Sequence, residues 1–408
     1  MPNLLIVLKT ELKINKYTNV NKGVIGLVKG TGILREMNKR KLLSLIRKHG
    51  KTSRQDLVNL MNVSKNTVSM IVDELIKQNI LQEVGEKGAG KKGRPKIIIQ
   101  IREDSLKAIG ISISKHNMNY SVINYYGDNI ESESFKYNCS NPIKTKNKIL
   151  EIVRNLLIRF DNIIGVGIGI PGIVDSDKKY VHESTHLGWH DLSLDEFNIL
   201  SIPVVIQNSV NMGAIQALNS EHQSNNGSLF YLRVSEGVGG SYVINNNVIE
   251  GGSWTAGEIG HISVDTEGKL CVCGQKGCLE QLVNYNALVN DLKNIGLHPP
   301  ILSSENIPFD NNHLKSSEVK ELMSKYGINF GKALVYIVHL LNPNKVILDS
   351  PYNVFDDFRQ SCLNYIQENA LQITTKNTEL IFGKQRYHLS RGAALSIIIN
   401  YEMIISIV

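Results

Sequence analysis

The stretch that most constrains this chain runs from Gly257 to Glu280, GEIGHISVDTEGKLCVCGQKGCLE. It sets His261 ahead of a Cys271-x-Cys273-x4-Cys278 cluster. Two thiolates one residue apart, a third on the same knuckle and an imidazole supply the four ligands of a closed tetrahedral zinc site. Gly274 and Gly277 let the knuckle turn sharply enough for three sulfurs to converge. Three of the five cysteines of the chain fall inside eight residues, which argues against three unrelated buried thiols. With no ligand position left open, the ion is expected to be structural rather than catalytic. Glu258 and Glu280 would then be pinned beside whatever pocket they face. Cys139 and Cys362 stand apart and read as buried thiols. Metal-type cysteines without a paired framework point to a reducing cytoplasm.

At 408 residues the chain has room for two or three domains and a large core. No apolar run approaches the roughly eighteen residues of a membrane span. Leu4-Leu5-Ile6-Val7-Leu8 is too short for a leader and lacks a cationic flank. The net charge of +7 is unevenly placed. Between Asn38 and Gln100 there are 14 Lys and Arg against 5 Asp and Glu, a surplus of +9, so the remainder sums to −2. One short segment holds the whole basic excess, which marks a nucleic-acid surface.

That segment has the pattern of a reading head. A first helix is expected over about Lys39 to Lys48, with Leu34-Arg35-Glu36 able to begin it, after a break at Gly30-Thr31-Gly32. A second opens at Ser53, an N-cap with Asp56 three residues on, and stops near Asn62. A third opens at Ser64, and Val68, Ile71, Val72, Leu75 and Ile76 follow at helical spacing as a buried stripe. Leu81–Val84 and Pro95–Ile101 then read as two strands joined by a glycine-rich basic loop, which is a wing. The whole is a winged helix-turn-helix. In it Ser64, Lys65, Asn66, Thr67 and Ser69 are expected to read the major groove. Ser53 and Arg54 are expected to hold phosphate. Lys91 and Lys92 suit phosphate contacts, and Arg94 suits a narrow A·T-rich minor groove.

After Arg102 strands and helices alternate, and the segment Tyr120-Ser-Val-Ile-Asn is echoed by Ser241-Tyr-Val-Ile-Asn. Strands are expected at Ala108–Ile113, Tyr120–Tyr125, Ile163–Ile170, Ile202–Asn208, Leu229–Val234, Ser241–Val248 and Asn344–Leu348. A weak repeat of glycine-turned hairpins predicts two similar α/β lobes with a cleft between them. Three divisions follow: an extension over 1–37 with no assigned role, a winged helix-turn-helix over 38–101, and a two-lobed domain over 102–408.

Gly257-Glu-Ile-Gly-His261 followed by C-x-C-G-x-x-G-C-x-E resembles the signature of the ROK family of repressors and sugar kinases. The resemblance implies a duplicated actin-like (RNase H-like) sugar-binding domain, so the fold class is α/β with an N-terminal winged helix-turn-helix. It also implies that Asn208, Glu258, His261 and Glu280 meet sugar hydroxyls or hold the pocket. Pro171-Gly172 and Leu187-Gly188-Trp189-His190 match pocket-lining turns, with Trp189 or His190 able to pack on a sugar face. The kinase parts of the pattern are poorly matched. The first phosphate loop is Ser112-Ile113-Ser114-Lys115-His116, without carboxylate or glycines. Ser209 stands where the resemblance implies a catalytic aspartate, and a serine cannot be the base at neutral pH. Asp349-Ser350 replaces a glycine pair on the adenosine side, and Glu236 precedes the one glycine loop that is kept.

The resulting expectation is a cytoplasmic, non-enzymatic, sugar-responsive repressor of a carbohydrate operon. It would carry structural zinc and act as a homodimer, or a dimer of dimers, on duplex operator DNA. Xylose is the favoured effector, because the branch with a reading head and a lapsed ATP site resembles xylose repressors. The rival readings are a sugar kinase with a DNA-binding appendage, a regulator governed by a protein partner, and an activator.

Overall fold

The structure is a computed structural model that describes residues 31–87, 96–220, 227–297, 316–383 and 388–403. The chain opens with α1 (Thr31–His49), β1 (Thr52–Ser53), α2 (Arg54–Met61), α3 (Lys65–Lys77), β2 (Leu81–Lys87) and β3 (Lys96–Ile101). Ser53 and Ser64 cap the two short helices by accepting from the Asp56 and Thr67 amides, as their spacing predicts. Asn62 closes α2 in the left-handed conformation that asparagine tolerates. Val68, Ile71, Val72 and Leu75 are buried against Leu42, Leu43, Ile46 and Leu57. Each such side chain contributes about 1.5–3 kcal/mol on leaving water. The strands β1, β3 and β2 form a three-stranded sheet in that order. Thr31 and Gly32, expected as a break, lie inside α1, which extends well ahead of Lys39. Arg35 on this added length pairs with Glu74 of α3, so the three-helix packing uses it.

The first lobe follows with β4 (Lys107–Ile113), β5 (Asn117–Asn124), β6 (Asn129–Lys136), α4 (Pro142–Arg159) and β7 (Ile163–Ile170). A small sheet of β8 (Ile173–Asp175), β9 (Tyr180–Ser184) and β10 (Trp189–Ser193) precedes β11 (Val204–Asn208) and α5 (Ser209–Ser220). The second lobe holds β12 (Ser228–Val234), β13 (Val238–Ile244), β14 (Asn247–Ile249), α6 (Leu279–Val283), α7 (Tyr285–Asn294) and α8 (Ser317–Leu340). It ends with β15 (Lys345–Asp349), α9 (Asp356–Asn369), α10 (Gln372–Asn377) and β16 (Glu379–Phe382), and α11 (Leu389–Met403) closes the chain.

The two main sheets are copies of one plan. Their orders are β11-β7-β4-β5-β6 and β16-β15-β12-β13-β14, each with two parallel pairings followed by an antiparallel meander. The repeat read from the two Val-Ile-Asn hairpins therefore extends to whole lobes. The strand expected over Ser241–Val248 is two strands, because Asn245 and Asn246 both adopt positive φ and turn the chain between β13 and β14.

Helix α11 returns from the second lobe to lie on the first. It can do so only because glycines face it. A Cβ on Gly110 of β4 would sit 1.9 Å from the Ser390 carbonyl, and one on Gly167 of β7 1.9 Å from that of Ala393. Gly392 likewise lets α11 meet the backbone of α5 at Met212. The far end of α11 grips the reading head. Arg47 of α1 donates twice to Glu402, at 2.7 Å each, and Arg40 lies over the Tyr401 ring at 4.5 Å. The Tyr126 hydroxyl accepts from the Ile101 amide and donates to its carbonyl. As a result the core of the head runs without interruption into Leu106, Ala108, Ile123, Tyr125 and Ile397 of the first lobe.

Removing one member of the Arg47–Glu402 pair leaves the other charge largely buried, since the side chains are only 21% and 10% exposed. Arg47→Ala should therefore lower the unfolding free energy by about 2–4 kcal/mol, read as an earlier midpoint in a urea melt. An unchanged midpoint would show that the head is held by its apolar contacts alone.

Candidate functional site

The residues singled out in the sequence fall into a metal cluster, a cleft and a reading face. In the cluster the ligand atoms of His261, Cys271, Cys273 and Cys278 lie within 4.8 Å of one another. A short hairpin brings them together, with bridges between Ser263 and Cys278 and between Leu270 and Lys276. Gly274 and Gly277 both have positive φ, and a Cβ at Gly277 would strike the Asp265 carbonyl at 1.5 Å. His261 turns Nδ1 toward Cys271 Sγ at 3.6 Å, while Cys273 and Cys278 sulfurs are 3.5 Å apart. Tetrahedral thiolates about 2.3 Å from zinc would be roughly 3.8 Å apart, so the donor set fits such an ion closely. The other ring nitrogen, Nε2, faces Glu258 Oε2 at 3.9 Å, the carboxylate–imidazole arrangement that fixes a ligand's orientation. A backbone hydrogen bond at Gln275 draws the Cys273 thiol down to about 7, while burial pushes Cys278 up to about 12.

The cleft is lined from both lobes. Glu280 opens α6 next to Cys278 and accepts from the Val238 amide at 2.8 Å. A Cβ on Gly237 would land 2.7 Å from Glu280 Oε2 and 2.7 Å from His186 Nε2. His186, in the turn between β9 and β10 of the first lobe, thus reaches the β12–β13 turn of the second. It is a cleft residue that sequence reasoning missed, because nothing local distinguishes a histidine in a Thr-His-Leu-Gly turn. The Glu258 carboxyl is raised by desolvation, then lowered by His261, raised by Glu280 and lowered by His186, although 41% of its side chain stays open. Glu258, Glu280, His261 and His186 are therefore close enough to feel one another's charge.

Asn208 ends β11 at the same cleft, but its amide is already engaged. It donates to the Gly172 carbonyl at 2.7 Å and accepts from the Val210 amide at 2.6 Å. It shapes the Pro171-Gly172 turn and the start of α5. Ser209 follows it, buried at the first turn of that helix. Trp189, weighed as a sugar platform, is a core residue instead. It is 2% exposed and donates from Nε1 to the Cys139 carbonyl. Deeper in the second lobe, Asp349 and Arg233 form a buried ion pair, joined by the Tyr231 hydroxyl.

On the reading face Ser64, Lys65 and Asn66 are exposed, and Thr67 and Ser69 are half-buried. The Ser64 and Thr67 hydroxyls are 2.8 Å apart and partly satisfy each other. Ser53 does not fit the phosphate role expected of it. It is 2% exposed, and its hydroxyl donates to Asp56 Oδ2 and accepts from the Asp56 amide. Arg54 is held at the surface by Asp73 at 2.7 Å and Glu83 at 3.3 Å. Met70, with 57% of its surface open, shares the outward face of α3. Lys91, Lys92 and Arg94 lie outside the described residues.

Comparison with known proteins agrees with this geometry. A model described as winged helix-turn-helix DNA-binding matches residues 38–82, and the ROK family model matches residues 108–395. The xylose repressor of Bacillus spizizenii (strain ATCC 23059 / NRRL B-14472 / W23) is 28% identical over 77% of this chain and 82% of its own. The DNA-binding transcriptional repressor Mlc of Escherichia coli (strain K12) is 22% identical over 85% of this chain and 91% of its own. Among solved structures, a ROK family transcriptional regulator, homolog of E. coli Mlc, superposes with a TM-score of 0.74 at 18% identity, covering 92% of this chain and 99% of that one. A ROK family glucokinase from Streptomyces griseus, in complex with glucose and AMPPNP, aligns over 71% of this chain and 98% of its own with a TM-score of 0.57 and 20% identity. These last two likenesses speak to fold. Head, paired lobes and Cys/His knuckle together leave one assignment: the chain belongs to the ROK family.

Proposed function

We propose that the protein is a sugar-responsive transcriptional repressor of a carbohydrate-utilisation operon, that it binds duplex operator DNA through its winged head, and that a free sugar in the cleft releases it. The observation that carries this reading is a head with a DNA-binding pattern whose core is continuous with the first lobe of a sugar-kinase-like fold. Lys65, Asn66, Thr67 and Ser69 read the major groove, with Ser64 capping the helix that enters it. Lys91, Lys92 and Arg94 serve the wing, and Arg54 gains a phosphate in exchange for Asp73 and Glu83. The effector is held by Glu258, His261 and Glu280, with Asn208 shaping the floor. Carboxylates suit that task because each accepts two hydroxyl hydrogen bonds. Xylose is the leading candidate, in keeping with the name of the Bacillus relative. The chain acts in a reducing cytoplasm as a homodimer, or a dimer of dimers, on a palindromic operator.

The reading also makes the protein a non-enzyme. Ser209 supplies no general base where the family's kinases need one, and Asp349-Ser350 stands in place of a glycine pair on the adenosine side. Zinc in the His261, Cys271, Cys273 and Cys278 cluster is structural. Bound there, it would be held by His261, Cys271, Cys273 and Cys278 and would stiffen the knuckle from which His261, Glu258 and Glu280 are oriented.

The deciding experiment is a titration of free sugars into a complex of the full-length, zinc-loaded protein with the DNA flanking its own gene, at fixed salt. Tight binding relieved by one sugar, D-xylose first among those tried, is the expected result. Specific binding that no sugar relieves would transfer control to a protein partner. ATP turnover with a sugar and no specific DNA binding would establish a kinase instead.

Metal analysis gives an independent check. One zinc per chain is expected, and Cys278→Ser should lose it with a drop of several degrees in the melting midpoint. A variant that kept both metal and midpoint would remove the zinc anchor from the account.

A further inference from the structure

Trp254 occupies a backbone conformation that a bulky side chain rarely adopts. Its φ is +58°, in the left-handed region, on a loop where glycine would be unstrained. Strain of this kind persists only where surrounding contacts enforce it. Here the enforcing contact is a stack: the Trp254 ring lies on the His182 imidazole, centroids 4.9 Å apart and planes 23° apart, and Tyr180 meets His182 edge-on at 5.1 Å. The loop is tied to the first lobe by Gln207 Nε2 and Ser176 Oγ, each donating to Glu250 at 3.0 Å. It is closed on itself by the Ala256 amide donating to the Glu250 carbonyl. Trp254 stays half-exposed throughout.

Polar atoms lie along the same wall without partners. His182 Nε2, Ser184 Oγ and Gln207 Oε1 are buried and make no hydrogen bond, and Ser184 is fully enclosed. Buried polar groups are normally satisfied, so this run calls for donors and acceptors from a ligand. The run is continuous with the cleft. Ser184 packs on Gly172, whose carbonyl binds Asn208, and two residues beyond Ser184 is His186, beside Glu280. Glu258 lies one turn after Trp254.

We propose that Trp254, propped on His182, is the aromatic platform of the effector cleft, where it takes the C–H face of a free aldopyranose while the half-buried His182 and Gln207 bind its hydroxyls. The proposal rests on the sugar-responsive reading above. An apolar sugar face on an indole and hydroxyls on fixed polar atoms together give stereochemical selection, because a misplaced hydroxyl leaves one of those atoms unpaired.

The chain has two tryptophans, so fluorescence can test this in the full-length, metal-loaded protein. D-Xylose, D-glucose and N-acetyl-D-glucosamine would be titrated into the wild type, Trp254→Gly and Trp254→Phe. A saturable emission change is expected in the wild type with one of the three. Trp254→Gly should raise the Kd for that sugar by about ten-fold or more, from loss of a stacking contact. It should also raise the sugar concentration needed to release operator. Glycine accepts φ +58° without strain, so the melting midpoint and metal content should hold; Trp254→Phe should fall between. An unchanged Kd in Trp254→Gly, read from the remaining Trp189 emission or by calorimetry, or an unchanged sugar concentration for operator release, would overturn the platform while leaving sugar response intact. A fall in midpoint that accounts for the lost binding would reduce Trp254 to a structural prop and overturn it also. If none of the three sugars binds the wild type, yet another effector releases the operator, the aldopyranose platform falls and the repressor reading stands. If nothing releases it, both fall.

Discussion

Everything distant in this molecule is joined by one close approach, that of α11 to the glycine-bearing strands of the first lobe. A helix normally stands off a sheet by the length of its side chains. Here Gly110 and Gly167 remove that spacing, and Ser390 and Ala393 set their backbone against the strands. The same helix carries Gly392, which admits the backbone of α5, the helix that starts in the cleft at Ser209. Close-packed backbone contacts tolerate little sliding, so α5, α11 and β4 behave as one rigid unit. At its end this unit presents Tyr401 and Glu402 to Arg40 and Arg47 of the head. The start of α5 at Ser209 and Arg47 of α1 are thus joined through directly packed elements.

The Cys/His knuckle has a different task, which is local precision. Glu280 follows Cys278 by two residues at the opening of α6, and Glu258 faces the second nitrogen of His261. Two carboxylates near each other repel, and desolvation raises that cost, as the upward shift of Glu258 records. Such a pair holds its geometry only on a stiff support. The knuckle gives it through backbone bridges and two positive-φ glycines. His186 and the Val238 amide then meet the acidic pair from two further directions.

The parts that sequence made legible are those whose causes are local. Ser53 and Ser64 cap where their spacing says, the stripe from Val68 to Leu75 is buried, and the four metal-type side chains converge. The caps and the stripe depend on residues within a turn or two of one another, and the four metal-type side chains on one short hairpin. What local pattern could not show is which side chains are already satisfied by remote partners. Trp189 and Trp254 look alike as letters. The first is consumed by the core and the Cys139 carbonyl, whereas the second is held half-exposed by a histidine 72 positions earlier. Ser53 lost its expected phosphate role for a related reason, since capping and burial by the sheet it enters use up its hydroxyl. The division of β13 from β14 turned on two consecutive asparagines, a weak signal beside an apolar run.

The second lobe is held across its parallel strands by a buried ion pair. Arg233 on β12 and Asp349 on β15 are register neighbours on parallel strands, and both are almost wholly buried. A charge pair in that position is neutral as a unit and is tied further by the Tyr231 hydroxyl. Removing either partner would strand the other charge in the interior at a cost of several kcal/mol. The pair therefore ties β12 to β15 where the two strands run side by side, and fixes the floor of the second lobe without opening its core to water.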